Sequence, residues 1–350
     1  MVDHDVTAII LHPEPGPGAG PLERAVAAAR ANLAEQHRTA FRAAGASAAR
    51  IVAGPPDDVP FGRRLRELAS KIGDGGLVVL GSGAIPLATA ADRRAFVATA
   101  AADGPGALAN DRFSADVVAI ARARTTLRDL PDLSSDNSLP RWLAEHAGIP
   151  VADLRGRWRL GIDIDGSLDL VLLGGTWAQL LSADDRARVE TRLAAVRAAA
   201  GDPRAELLVA GRTSSASLRW LERSTASRTR ALIEERGLRT IIAGQRPPAS
   251  VLGMLLDDSG PSGLSAYIAR LGDAAIIDTR VLLAHRLGAD ERRWPVPEDR
   301  FAADLLLHER ITDPWLRDLT AAAADAPIPV LLGGHTLVGP GLRLALGAPR

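Results

Sequence analysis

The 350-residue chain reads as an α/β protein, a mostly parallel sheet covered by helices in three layers (αβα), repeated as two related lobes. Three observations lead there. Short β-branched runs alternate with amphipathic stretches rich in alanine and arginine, the order that parallel strands with crossover helices require. One run, Gly76 to Leu80, is wholly apolar and so fits a central strand buried on both faces. From about Gly201 a second series of strand, loop and helix begins. The expected division is therefore a first domain over 1–200 and a second α/β lobe, a diverged duplicate, over 201–350.

In chain order, Thr7 to Leu11 is the first strand, followed by a loop from His12 to Pro21 rich in glycine and proline. A helix from Leu22 to Ala44 stops at Gly45, a residue suited to the left-handed position that closes a helix. Arg50 to Ala53 is the next strand, Phe61 to Ile72 a helix and Gly76 to Leu80 the central strand. Thr89 can cap the helix that starts near Ala90, and Asp92 adds a favourable charge to its first turn. Strands are expected at Asp116 to Ala121 and Trp158 to Ile164. In the second lobe, strand Glu206 to Ala210 leads through Gly211-Arg212-Thr213-Ser214-Ser215 into a helix near Ala216, along which Arg219, Arg223, Arg228 and Arg230 follow. A strand from Ala274 ends at Asp278, and another, Pro329 to Leu332, precedes Gly333-Gly334-His335-Thr336.

The case for duplication rests on matches in a common order. Arg38 to Gly45 before Ile51 resembles Arg230 to Gly237 before Ile241, and Asp57-Asp58 recurs as Asp257-Asp258. Leucine-rich helices end at Ile72-Gly73-Asp74 and at Leu271-Gly272-Asp273, each before an apolar strand. Asp111 to Asp116 returns as Asp299 to Asp304, and Ile149-Pro150-Val151 as Ile328-Pro329-Val330. Fixed order is what internal repeats leave behind.

Composition removes several classes of chemistry. With 47% hydrophobic and 24% charged residues, the chain has the make-up of a globular protein with real cores. Its 42 basic and 42 acidic residues cancel, so net charge calls for neither nucleic acid nor an anionic membrane. No apolar stretch approaches a membrane span and no export signal is evident, which sets a cytoplasmic expectation. Without cysteine there is no disulfide, thiolate site or cysteine nucleophile. Every basic residue but Lys71 is arginine, and Lys71 sits near a helix end where a cation is favourable, so phosphate-loop and Schiff-base lysines are absent. His12, His37, His146, His285, His308 and His335 show no paired spacing for a metal, and no Gly-x-Ser-x-Gly elbow is present.

The most informative segment is Gly161 to Leu170. A period of two puts Asp163 and Asp165 on one face and Ile162 and Ile164 on the other, and Asp169 falls at the start of the next helix. Carboxylates so placed can hold a divalent cation, or they are an acidic strand-to-helix turn. Gly16, Gly18 and Gly20, with Arg24 beyond, lie where an α/β protein would cradle phosphate, although prolines at 13, 15, 17 and 21 remove amide donors and a flexible connection is the alternative. Arg212, Thr213 and Ser214 are suited to phosphate or carboxylate, or are a plain serine cap. Asp278 is a further ligand candidate.

Three segments together resemble the nucleotidyltransferase branch of the GT-A fold, especially guanylyltransferases acting on 2-phospholactate or phosphoenolpyruvate and, more distantly, molybdenum-cofactor guanylyltransferases. They are Val78 to Leu87, Ser134 to Trp142 leading to Gly148-Ile149-Pro150-Val151, and Asp163 to Leu170, which is similar to Asp-Ile-Asp-Thr-Pro-x-Asp-Leu. The resemblance implies a Rossmann-like three-layer fold and transfer of a nucleotidyl group from a nucleoside triphosphate to a small phosphorylated or carboxylated acceptor. It implies Mg2+ or Mn2+ held by Asp163 and Asp165, and Ser138 on the acceptor. The acid expected before Ile85-Pro86 is Ala84, so Asp111 and Asp116 are the nearest acids to take its place as a ligand, or they belong to a turn leading into the strand at Val117. A catalytically degenerate nucleotide- or anion-binding sensor or partner subunit, and a duplicated-lobe scaffold, are the alternatives, and a homo-oligomer stays open.

Overall fold

The computed structural model describes residues 5–72, 74–235 and 246–347. It is mixed α/β, with two separate sheets. The chain forms two compact units, Met1–Gly18 with Ala27–Ile164, and Ala19–Val26 with Asp165–Arg350. The boundary expected near Gly201 thus falls between Ile164 and Asp165. The helix over Ala183–Gly201 packs on the second sheet, which draws the whole segment after Asp165 into the second unit.

The first unit holds strands β1 (Val6–Pro13), β2 (Ala48–Gly54), β3 (Gly76–Gly81), β4 (Ala107–Ala109), β5 (Val117–Ile120) and β6 (Val151–Asp153) in the order β2-β1-β3-β5-β4-β6. Pairing is parallel except that β5 runs antiparallel to β3 and β4. Side-chain alternation sorts the sheet into two cores. Ala8, Ile10, Val78, Leu80 and Ala119 face Phe41 of α1 (Pro21–Ala43) and Phe96 of α3 (Ala90–Ala100). Ile9, Leu77, Val79, Val118 and Ile120 face Leu65 of α2 (Phe61–Ser70), Ala123 of α4 (Ala123–Thr126) and Leu139 and Leu143 of α5 (Leu139–Glu145). Three layers result, and β3 is central because every residue from Gly76 to Leu80 is buried.

The Thr89 cap forms as a reciprocal box: Asp92 N donates to Thr89 Oγ1 at 3.2 Å, and Thr89 N donates to Asp92 Oδ2 at 2.8 Å. Buried Asp92 also receives Arg157 at 2.6 Å, and these partners hold its carboxyl down at about 2 against the upward push of burial. The strand expected over Trp158 to Ile164 does not form. Trp158–Gly161 is a 3-10 turn, and beyond it only Asp163 pairs, through a single antiparallel bridge to Ala84. The alternation of burial survives without the strand, since Ile162 and Ile164 are buried while Asp163 is not. Strands β4 and β6 have three residues each, too few for a period of two to mark them in the sequence.

The second unit holds β7 (Glu206–Gly211), β8 (Arg228–Ile233), β9 (Ala274–Asp278) and β10 (Val330–Gly333), all parallel in the order β10-β9-β7-β8. Its helices are α6 (Ser167–Leu173), α7 (Gly175–Ala178), α8 (Ala183–Gly201), α9 (Ser215–Ser224), α10 (Val251–Ser259), α11 (Leu264–Ala269), α12 (Thr279–Leu287), α13 (Pro297–Asp304), α14 (Pro314–Ala324), α15 (His335–Val338) and α16 (Leu342–Leu346). Helix α9 ends at Ser224, so Arg228 and Arg230 lie on β8 rather than along the helix with Arg219 and Arg223. Arg230 there pairs with Glu206 on β7 at 2.8 Å.

Two sheets give the two lobes, but the matched segments do not share structure throughout. Arg38 to Ala43 is helix whereas Arg230 to Ile233 is strand; Asp57-Asp58 is loop whereas Asp257-Asp258 is helix; Asp111 to Asp116 is a turn whereas Asp299 to Asp304 is helix. Gly73, Gly237 and Ile241 to Gly244 lie outside the described residues. Only the helix-to-strand steps into β3 and β9 and the Ile-Pro-Val entries to β6 and β10 coincide. The sheets also differ, six strands in mixed order in the first unit and four parallel strands in the second.

Close approach of α3 to β3 makes a direct test of this packing. A Cβ on Gly76 would lie 2.0 Å from the Ala100 carbonyl oxygen, which is backbone and cannot swing aside. Gly76→Ala is expected to cost about 2 kcal/mol or more in urea unfolding, as overpacking does; a midpoint equal to that of the wild type would mean that the end of α3 yields freely.

Candidate functional site

In an open parallel sheet, ligands settle outside the carboxyl ends of strands where the connection order reverses. Each unit has one such point, between β1 and β3 in the first and between β7 and β9 in the second. Polar residues collect at both.

At the first, the turn after β3 is tied to the aspartate segment. Ile85 N donates to Ile162 O at 3.1 Å and Ile164 N to Gly83 O at 3.0 Å, with Ala84 and Asp163 as the bridged pair. The two segments that the resemblance treats as halves of one site are therefore neighbours. Gly83 makes the approach feasible, because a Cβ there would stand 2.8 Å from Asp163 Oδ1 and 2.9 Å from Ile164 O. Arg30 of α1 donates from Nε to Ile164 O at 2.7 Å. Across the crevice, His12 Nδ1 and Ser82 Oγ, from the ends of β1 and β3, are 3.0 Å apart. Burial, and then the charge of Arg30, lower the pKa of His12, so its ring is neutral near pH 7.

The turn itself is strained and braced. Ile85 is β-branched and fully buried, yet its φ is +46°, a region that costs such a residue free energy. His37, 0% exposed on α1, donates from Nε2 to Ala84 O at 2.8 Å. Burial drives its pKa down to about 4, the carbonyl pulling up and Arg93 pushing further down, so the neutral ring is a fixed donor. Neither His12, Ser82, Arg30 nor His37 was visible as a site residue in the sequence, because their partners lie far along the chain.

The other residues proposed for the first half are scattered. Gly16 and Gly18 lie in the exposed loop after β1, with open space around them. Asp111 accepts from Phe113 N at 2.8 Å in a turn, and Ser138 closes a short 3-10 turn before α5. Gly20 and Arg24 group with the second unit. There the Glu298 carboxylate accepts from Leu22 N at 3.2 Å and from Glu23 N at 2.9 Å, and it occupies the space that a Gly20 Cβ would need. Arg24 turns back to donate to Ala19 O. The first turn of α1 already carries a carboxylate from the protein itself, and a phosphate could use those amides only by displacing Glu298.

At the second switch point, Arg212 closes a bidentate pair with Asp278, Nε to Oδ2 at 2.6 Å and Nη2 to Oδ1 at 3.1 Å. Burial pushes the Asp278 carboxyl up, but Arg212, Arg280 and His335 outweigh it and the pKa is lowered. Gly211 permits the pair twice over: its φ is +128°, and a Cβ would meet Asp278 Cβ at 2.3 Å. Thr213 Oγ1 donates to Val338 O at 2.8 Å, and Ser214 caps α9 by accepting from Ser217 N at 3.1 Å. Arg280 forms a second buried pair with Asp304. Asp165 stands 3.6 Å from His335 Nδ1.

Asp169 completes this cluster. Its Oδ2 accepts from Asp165 N and from Gly166 N, each at 2.8 Å. Burial, then the nearby Asp165 charge, raise its pKa to about 7 against those two bonds, and Asp304 adds to the rise. The sequence-derived candidates thus part company: Asp163 belongs to the first unit, whereas Asp165, Arg212, Thr213 and Ser214 belong to the second with Asp278. Among the described residues, no three His, Asp or Glu side chains form a metal-binding group. Asp163 stands opposite Ala84 in the bridge between the two segments, and one carboxylate there suits Mg2+ only if phosphate oxygens and water supply the remaining ligands.

The Asp169 environment has a signed consequence. An acid whose folded pKa is raised from 3.8 to about 7 adds stability that is full below pH 4 and is lost as pH rises through 7. Asp169→Asn keeps an acceptor for the two amides without the charge, so its stability relative to wild type is expected to increase from pH 4 to pH 8 in paired urea titrations; a constant difference would contradict a buried carboxyl of this kind. Gly211→Ala is expected to cost about 3 kcal/mol by the same assay. No protein-family model matches the chain, and no curated protein matches it in sequence.

Proposed function

We propose that the first unit binds a nucleoside triphosphate at the β1–β3 crevice and that the protein is nucleotidyltransferase-like, passing a nucleotidyl group to a small phosphorylated or carboxylated acceptor. The observation that supports this reading is the hydrogen-bonded pairing of the Gly83-Ala84-Ile85 turn with Ile162-Asp163-Ile164 at a switch point. Such a crevice is where this class of sheet receives nucleotides. Nucleotidyl transfer depends mainly on positioning and on neutralising phosphate charge. A bound Mg2+ would supply part of that neutralisation.

The chain's own residues divide the rest of the work. Asp163 is the carboxylate for the cation, and Asp165 has no part in this proposal. His12 and Ser82 form a polar wall, with the His12 ring neutral and able to accept or donate one proton. His37 holds the Ala84 carbonyl and so fixes the turn from which Gly81, Ser82 and Gly83 face a ligand. With one carboxylate rather than two, the cation is expected to enter with the triphosphate and not ahead of it.

One observation favours a second reading. Ala84, 1% exposed, stands where the resemblance expects an acid, and a methyl group cannot bind a hard cation. A protein that binds nucleotide without metal, as a sensor or partner subunit, follows from that substitution.

Thermal unfolding with GTP and CTP, each with and without Mg2+, separates the readings. A ligand at ~100 times its Kd adds about 2.7 kcal/mol, a rise of several degrees. Stabilisation that requires both nucleotide and Mg2+, absent with Mg2+ alone and lost in Asp163→Asn, supports the transferase. Stabilisation indifferent to Mg2+ supports the binding protein, and no shift with any nucleotide rejects both.

A further inference from the structure

The amino-terminal end of β3 carries a second feature of the first unit. A cavity of about 550 Å3 opens there, with Arg66 and Ser70 of α2 on one side, Asp74 at the entry to the strand, and Arg124, Thr125 and Arg128 on the other. Six residues of β3 separate it from the turn at Gly83, roughly 17 Å at the rise of a strand, so it is not part of the β1–β3 crevice. Its size falls within the range of about 300–1,000 Å3 typical of small-molecule sites, but its wall is polar and basic where such sites are mostly apolar.

The charges are arranged for an anion. Arg66 is held in place by Asp132 at 2.7 Å and by the Leu130 carbonyl, and the same carboxylate is shared with Arg63 at 2.6 Å, so one acid stands between two guanidinium groups. Among the described residues no carboxylate pairs with Arg124 or Arg128. The lining thus carries three arginines, Arg66, Arg124 and Arg128, with one acid, Asp74, and with Ser70 and Thr125 beside them, the charge of Arg66 being shared with Asp132 outside the lining. The backbone is bent to make this possible. Arg122, just before α4, has φ +48° and ψ +51°, a left-handed conformation unusual for a residue other than glycine, at the turn from which Arg124 and Thr125 follow. Guanidinium groups match phosphate oxygens in geometry as well as charge.

We propose that this cavity is a binding site for an oligophosphate chain, free or as the phosphates of a nucleotide, separate from the crevice that holds Asp163. Recognition is by the charges of Arg66, Arg124 and Arg128, and no nucleoside contact is needed.

The test is calorimetric titration of the full chain with inorganic tripolyphosphate in the absence of Mg2+. Saturable binding is expected, weaker at high salt because the guanidinium groups are near the surface. Arg124→Gln with Arg128→Gln is expected to weaken it by at least about tenfold, as loss of charge-assisted bonds does, without moving the thermal midpoint, while Asp163→Asn leaves it unchanged. Competition by GTP but not by guanosine places recognition in the phosphates; equal affinity for GTP and tripolyphosphate identifies the free chain as a sufficient ligand, and tighter GTP binding that still depends on Arg124 and Arg128 identifies the nucleotide. Absence of saturable binding, an unchanged affinity in the double variant, or a loss of affinity in Asp163→Asn overturns the proposal; binding lost in the double variant and kept in Asp163→Asn belongs to this cavity whether or not the β1–β3 crevice also takes a nucleotide.

Discussion

Burial of the central strands on both faces is the constraint from which the rest of this structure follows. Val78 and Leu80 enter one core while Leu77 and Val79 enter the other, and all of β9 and β10 is likewise enclosed. A polar group within such a strand is costly unless a partner reaches it. Chemistry is therefore displaced to the strand ends, and there the chain changes character within one residue: Leu80 to Gly81-Ser82-Gly83, Ala210 to Gly211-Arg212, Ile277 to Asp278-Thr279. Gly83 and Gly211 at these changes let backbone and an aspartate side chain approach each other where a further side chain would collide.

The second unit concentrates charge at that edge to an unusual degree. Asp278 and Asp304 are each 1% exposed and Arg280 9%, so both ion pairs give up most of their hydration. Burial of this kind is weak as a source of stability, because the desolvation of each ion offsets most of the attraction. Breaking one pair is a different matter, since it strands a charge in a medium that cannot solvate it. The edge is consequently rigid in its pairing and asymmetric in its protons. Asp278 keeps its charge because Arg212 answers it directly, whereas Asp169 has two backbone amides and no guanidinium as its own, and its proton is retained up to about pH 7. Perturbed groups in such company commonly mark functional sites.

In the first unit the comparable device is backbone strain. Ile85 adopts a left-handed conformation that a β-branched residue avoids, and it is kept there by bonds from both sides: its own amide to Ile162 and the neighbouring carbonyl to His37. His37 acts as a neutral ring, donating from Nε2 and accepting from Arg93 at Nδ1, and burial keeps it neutral by making its protonated form costly. Thus a helix face that packs mainly apolar groups also supplies a buried polar group that helps to position the turn. The turn in its turn positions Asp163, through Gly83 and the bridge at Ala84.

Much of this was legible in the amino-acid order. Alternating β-branched and amphipathic runs announced the α/β class, the apolar stretch at Gly76 announced the centre of a sheet, and Thr89 with Asp92 announced a helix start, because each depends on residues a few positions apart. The same local signals misled where they were short or shared by composition: Trp158 to Ile164 has the alternation of a strand but pairs at one residue, and the echoes between the two halves join helix to strand. Asp163 and Asp165 show the limit most plainly. Two residues apart in sequence, they read as one face and one site, yet the chain passes from one unit to the other between them. Fold class and the residue types available for chemistry follow from amino-acid order, since propensity and periodicity act over a few residues. Which carboxylate meets which guanidinium, and that His12 meets Ser82, His37 meets Ala84 and Asp169 is held in its protonated form toward neutral pH, depends on folding, because desolvation and hydrogen bonding between residues tens of positions apart exist only after the cores have closed.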